Sequence, residues 1–388
     1  MKHQTKFKQT EIGKIPEGWK IRKLGDYLTL NYGKGLPEEK RINGKFAVFG
    51  SNGIVGWNKE PLVNGPGIII GRKGSVGEIK IYIENFWPID TTYYITNKDT
   101  KLDLHFLYYK LLTLGINTMN SHAAVPGLNR EDVYRIETAI PSLPEQHSIA
   151  KILSDLDSKI ELNNKMNKKL EAIGQALFKK WFVDERKDDW EVLKLGEIIS
   201  KLTTGLNPRA NFVLGKGDNF YVTIKNMGNQ ELVLDSSCDK IDDEAIAKIN
   251  ARSKLQAEDI LFSGVATIGR VFYIDKEPKN WNVNESIFTL RANKDKIYPS
   301  ILYNLLLSKD FQDYSISHAQ GSVQKGVRIS DLKEYEIALP KIEDQKNINL
   351  ALSYLLDKLK INQNQNKYLL QIRDSLLPKL MSGDIRVK

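Results

Sequence analysis

One cysteine in 388 residues, Cys238, excludes an internal disulfide framework and a cysteine-rich zinc site. It is expected to be a small, buried or half-buried side chain. Histidine is nearly as scarce: His3, His105, His122, His147 and His318 stand at no ligand spacing, so metal catalysis has no basis. No apolar run approaches the roughly 20 residues that a membrane helix needs. The opening MKHQTKFKQT is basic, with no apolar stretch behind it of the kind a secretory signal carries. These absences point to the cytoplasm. The phosphate-cradling glycine motifs, HExxH and GxSxG are missing too, as are the Asn-Pro-Pro-aromatic and Asp-Pro-Pro-aromatic motifs of amino-methyltransferases. Acidic-x-Lys fragments such as Glu78-Ile79-Lys80 arise by chance in a chain this rich in both residues. The expectation is a non-catalytic chain that holds neither a metal nor a cofactor of its own.

A net charge of +9 suits a polyanionic partner, because lysine and arginine release counterions when they neutralise phosphates. Many soluble proteins are equally basic, so charge alone leaves the partner open.

The chain is written twice. The stretch LPKIEDQKNINLALSYLLDKLKINQNQNKYLLQIRDSLLPKL from Leu339 lies over Ile140 to Trp181 without a gap. Pro141 matches Pro340, Gln146 matches Gln345, and Ile149, Leu153 and Leu156 match Ile348, Leu352 and Leu355. Roughly a third of positions are identical, more than composition gives two unrelated amphipathic helices. The regions ahead correspond more loosely: GWKIRKLGD at Gly18 with DWEVLKLGE at Asp189, GRKGSVG at Gly71 with SGVATIG at Ser263, DTTYYI at Asp90 with NESIFTL at Asn284. Glycine-bounded, β-branched runs such as GIIIGRKGSVGEIKIYI predict strand-turn-strand, whereas LDLHFLYYKLLTLG and YPSILYNLLLSKDF have helical spacing.

The expected fold is therefore mixed α+β. Two pseudo-symmetric globular units, residues 1–142 and 185–340, are each followed by a long helix, residues 143–184 and 341–388. Residues 149, 153, 156, 160, 163, 167, 170, 174, 177 and 181 follow a heptad seam, as do their counterparts from Ile348 to Leu380. Two such seams in one chain can bury each other as an antiparallel intramolecular coiled coil. Its helices, of about 36 residues, would span on the order of 54 Å, more than one turn of B-DNA. Asn163 and Asn167, with Asn362 and Asn366, interrupt both seams at matching places. Either they pair across the helices and set the register, or they sit solvated at the rim.

The segment IPSLPEQHSIAKILSDLDSKIELNNKMNKKLEAIGQALFKKWF, with the preceding IPEGWKIRKLGD and FGSNGIVGW, resembles the DNA specificity subunit of Type I restriction-modification systems. The resemblance covers essentially the whole chain, with the helical segments its specific part. It implies two target recognition domains, each reading half of a bipartite double-stranded DNA site. It further implies that the coiled coil sets the gap and docks the modification (methyltransferase) subunits, which hold S-adenosylmethionine, with the restriction subunit joining that complex.

Loops are the candidates for DNA contact, since glycine lets backbone approach phosphate while neighbouring polar side chains reach base edges. In the first unit these are Lys34, Ser51, Asn52, Arg72, Lys73, Ser75, His122, Asn129 and Arg130. In the second they are Arg209, Lys225, Asn226, Thr267, Arg270, Gln320, Ser322, Gln324, Lys325 and Arg328. For each, the alternative is a solvated loop charge or a residue its own turn requires. Two other functions stay open at this point: a coiled-coil scaffold without nucleic acid, and a nuclease with an unfamiliar motif.

Overall fold

The computed structural model describes residues 6–119, 127–209, 211–228, 230–321 and 324–387. The chain divides into two compact units, Met1–Glu161 with Asn366–Lys388, and Leu162–Gln365. Each unit contains one globular stretch and a portion of both long helices.

In the first unit a hairpin of β1 (Phe7–Thr10) and β2 (Gly13–Pro16) precedes β3 (Lys20–Lys23), β4 (Asn31–Tyr32), β5 (Phe46–Gly50) and β6 (Gly53–Asn58). Then follow β7 (Gly67–Gly71), β8 (Ile79–Tyr82), β9 (Phe86–Pro88) and β10 (Thr92–Thr96). Helices α1 (Leu104–Leu112) and α2 (Arg130–Arg135) lead to β11 (Glu137–Ile140) and the long helix α3 (Leu143–Lys179). An antiparallel sheet runs β4-β10-β7-β8; a second runs β6-β5-β9, with β5 and β9 parallel; β11 pairs with β3. The GIIIG run forms β7 because a strand covered on both faces needs apolar side chains at every position. Ile68 and Ile70 pack with Phe106 and Leu107 of α1, while Ile69, between them, packs with Phe49 and Phe86. Asp103 starts α1 by accepting the Phe106 amide at 2.8 Å.

The second unit repeats this plan. Its strands are β12 (Glu191–Lys194), β13 (Ile199–Thr204), β14 (Asn219–Val222), β15 (Asp239–Ile241), β16 (Ile260–Ser263), β17 (Val271–Tyr273), β18 (Trp281–Val283), β19 (Ile287–Ala292) and β20 (Glu336–Leu339). Its helices are α4 (Leu195–Ile198), α5 (Asp243–Ser253), α6 (Pro299–Leu307), α7 (Lys309–Ser317), α8 (Ile329–Lys333) and the long α9 (Lys346–Ser382). The sheets run β13-β19-β16-β17 and β15-β14-β18, with β12 on β20, position for position as in the first unit. Even the two-faced strand recurs: Ile260 and Phe262 of β16 enter one core and Leu261 another.

Within each unit the portions of α3 and α9 run in opposite directions. In the first, Ile149 and Leu153 share a core with Leu380 and Met381, and Asp157 pairs with Arg373 at 2.9 Å. In the second, Asn163 bonds Gln365 and Asn167 bonds Asn362, both at 2.9 Å, while Gly174 faces Leu352. Asn163, Asn167 and Asn366 are buried and Asn362 is half-buried. The Asn366 amide also points to the carbonyl of Ile160 at 3.5 Å.

The start of each long helix is fastened to its globular unit by the matched glutamines. Gln146 donates to Pro141 O at 3.0 Å and accepts from the Asp103 amide at 3.0 Å. Gln345 donates to Pro340 O at 3.0 Å and to Lys296 O at 2.8 Å. In the first unit Glu145 also accepts from Trp19 Nε1 at 3.1 Å and from Arg386 Nη2 at 2.9 Å. The buried Lys110 ammonium donates to the Met381 carbonyl at 3.0 Å, capping the end of α9, and its burial lowers its pKa to about 8. Among the described residues no helix is long and apolar enough to cross a membrane.

Candidate nucleic-acid interface

In both units the glycine-rich turn after a central strand is held against the loop that precedes the last short helix. Arg72 accepts the Leu128 amide on its carbonyl at 2.8 Å, and Gly264 accepts the Val327 amide likewise at 2.9 Å. Lys73 is bridged to Gly127 and Val265 to Gly326. The first loop is tight at Gly71, where a Cβ would come within 2.1 Å of Ser75 O and 3.0 Å of Ser51 O. That closeness draws Ser51, Arg72, Lys73 and Ser75 into one cluster.

Lys34 stands on the loop after β4, two residues beyond Tyr32. It is exposed, and its backbone is fixed by Pro88 O at 2.9 Å and by Trp87 Nε1 at 2.8 Å. Asn52, also exposed, accepts Lys80 Nζ on its carbonyl at 3.0 Å. Asn129 caps α2 through the Glu131 amide at 2.9 Å, and Arg130 opens that helix. Arg72 turns Nη2 and Nε onto the Asp90 carbonyl at 2.7 and 3.2 Å, while Lys34 and Lys73 are exposed. Tyr32 is not among the candidates that the glycine-rich loops single out, yet it is 52% exposed, and its ring lies 5.3 Å from the Arg72 guanidinium and 5.6 Å from that of Arg130. An aromatic two residues before Lys34 in NYGKG was the available signal. Beneath it Tyr93 donates to Leu128 O at 3.1 Å, and burial pushes its phenol up to about 12, so it stays neutral.

The second unit sorts its candidates differently. Gln320 and Gly326 exchange both backbone hydrogen bonds at 2.9 Å, closing a loop on which Gln320, Gln324 and Lys325 are exposed, and Arg328 follows, exposed, at the start of α8. Ala266 donates to Lys325 O at 2.8 Å, so exposed Thr267 belongs to the same group. Arg209 is exposed on a turn closed by the Asn207 side chain at 3.1 Å. Lys225 is exposed but pairs with Asp239 at 3.3 Å. Two candidates turn inward. Asn226 is buried, its Oδ1 accepting from the amide and hydroxyl of Thr223 at 3.1 and 3.0 Å. Arg270 donates from Nη1 to the carbonyls of Ile224 and Met227, fastening that same turn. Both serve the loop's shape, which explains polar residues there without a ligand. His122 and Ser322 lie outside the described residues.

Exposed lysines and arginines on glycine-rich turns can neutralise phosphates, and the exposed glutamines and threonine can reach base edges. A sequence model of the Type I restriction modification DNA specificity domain matches residues 16–172 and again 187–371. The chain is 25% identical to the type I restriction enzyme MjaIX specificity subunit of Methanocaldococcus jannaschii, over 99% of this chain and 98% of that one. It is likewise 25% identical to the MjaVIII specificity subunit of the same organism, over 98% and 96%. The crystal structure of a Type-I restriction-modification system S subunit from M. genitalium covers 97% of this chain and 99% of its own, with a TM-score of 0.63 at 20% identity, a likeness of fold.

Proposed function

Since the chain belongs to the Type I restriction-modification DNA specificity family, we propose that it is the DNA-reading subunit of such a system, each globular unit reading one half of a bipartite target. The observation that carries this is the repeat itself. The two units share sheet order and the helix-anchoring glutamines, yet differ in the loop residues presented to solvent. Duplicated scaffolds with unlike loops suit two readers of unlike sequences; an active site has no reason to be duplicated in this way.

In this reading the paired helices act as a spacer whose length sets the gap between half-sites. Each has 37 residues and a length of about 55 Å. Their outward faces dock the modification subunits, which bind S-adenosylmethionine and carry out methylation, and the restriction subunit joins that assembly in the cytoplasm. The chain itself performs no chemistry: it contributes phosphate neutralisation and base contacts. The test is to co-express the chain with its modification subunits and sequence the methylated sites. A motif of two short specific halves flanking a non-specific gap is expected; an uninterrupted motif, or methylation without sequence preference, would contradict it.

A further inference from the structure

The repeat supplies an internal control for every side chain, because what serves the scaffold should recur and what serves reading should not. Sheet register and matched backbone hydrogen bonds fix three equivalences. Tyr32 pairs with Tyr93, which pairs with Ile70, as Thr204 pairs with Phe288, which pairs with Phe262. Arg72 and Gly264 each accept the matching amide, from Leu128 and Val327, and Arg130 and Ile329 stand two residues further on. The first unit therefore places Tyr32, Arg72 and Arg130 where the second has Thr204, Gly264 and Ile329. Thr204 is buried and accepts from Arg252 Nη2 at 3.3 Å, an inward role unlike that of Tyr32.

The cluster is also unusual in itself. Tyr32 rests on Tyr93 with ring centroids 5.0 Å apart, and the two guanidiniums flank it. Arg72 has spent on Asp90 O the fork that would otherwise grip a guanine edge, which leaves it a fixed positive charge. Arg130 lies 5.7 Å from the Tyr134 ring as well, and its Nε is 3.5 Å from Glu131 Oε1 in a solvent-exposed pair that a phosphate can displace. Two guanidiniums beside an exposed aromatic draw a polyanion and hold a flat, uncharged group between phosphate-seeking charges.

We propose that Tyr32 is a specificity-determining residue of the first unit, touching a base edge of its half-site while Arg72 and Arg130 take the flanking phosphates. This rests on the DNA-reading function proposed above. The second unit, with Thr204, Gly264 and Ile329, reads its half by other side chains.

The test uses the full chain in complex with its modification subunits. Methylated sites are sequenced, and binding to randomised duplexes is measured across a salt series, for wild type, Tyr32→Thr, Tyr32→Leu and Arg130→Gln. Tyr32→Thr is expected to reduce base preference about tenfold or more at one position of one half-site. The other half and the salt slope stay as in wild type. Arg130→Gln lowers affinity for all sequences and makes the salt slope shallower by about one. Preserved preference at the second half shows, in the same molecule, that the complex is intact. Should Tyr32→Thr fail to fold, Tyr32→Leu, which keeps apolar bulk over Tyr93, is scored the same way. Unchanged preference at every position of both halves overturns the proposal for Tyr32. A wild-type complex with no bipartite target would instead overturn the DNA-reading function beneath it.

Discussion

Asn362 donates its side-chain amide to Oδ1 of Asn167 at 2.9 Å, joining the two long helices inside the second unit. One turn away Asn163 makes the matching bond to Gln365, so two polar links in succession replace the apolar contacts of the flanking seam. A slipped helix would place leucine against these buried amides, and each unmade hydrogen bond would penalise that register.

Removing one partner should therefore cost more than removing both. Asn362→Ala leaves the Asn167 carboxamide buried, and a loss of about 1–3 kcal/mol in unfolding free energy is expected. Asn167→Leu combined with Asn362→Leu should recover most of it, since two apolar groups replace two polar ones. Urea titration of the single and double variants checks this; additive losses would mean that the two amides do not depend on each other.

The matched glutamines are expected to be as sensitive as core leucines. Gln146 and Gln345 are 2% and 0% exposed and bind backbone groups at the helix starts. Gln345→Leu strands the carbonyls of Pro340 and Lys296 and should cost about 1–3 kcal/mol, with Gln146→Leu similar. Losses below about 0.5 kcal/mol by denaturant titration would show that water satisfies those groups.

Lys360 gives stability a defined pH dependence. It is buried 3.9 Å from the Phe272 ring, and burial lowers its pKa from 10.5 to about 8, with Asp275 and Glu231 opposing that shift. Between these two values the unfolded chain binds more protons than the folded one, so stability rises with pH there, by at most about 1.4 kcal/mol per pH unit for one group. Below about pH 8 the contribution is flat and unfavourable. Lys360→Met is expected to raise stability at pH 7 and to remove this share of the rise between pH 8 and 10. Stability curves for wild type and variant that stay parallel over that range would contradict it.

Much of this architecture was legible in the chain because it repeats. The four-three spacing from Ile149 to Trp181 and its copy gave both helices, and the asparagines marked the middle of each. Glycine bounds such as those of GIIIG gave the strand pairs β7-β8 and β16-β17. Side-chain direction in the loops was not legible. Asn226 and Arg270 look like contact residues in sequence, but they belong to one turn closed by atoms more than forty residues apart. Tyr32 was missed for the same reason: its exposure beside two guanidiniums depends on strand register and on loops far along the chain. Gln146 and Gln345 stood out as matches, but their partners Asp103 and Lys296 are also distant in sequence.

The spacer reading predicts a change in gap without a change in bases. Inserting one heptad into both α3 and α9 keeps the seam in phase and lengthens each helix by about 10.5 Å. Methylated-site sequencing of the assembled complex should show the same two half-sites separated by a longer gap. An unchanged gap in an intact complex would contradict the helices as spacer.

The most direct test is exchange of one reader. Residues 187–338 are replaced by the corresponding stretch of another family member, and the methylated sites of the assembled complex are sequenced beside those of the original. One half-site is expected to change to that of the donor while the other half and the gap stay as they were. Alteration of both halves, or of neither, would contradict it.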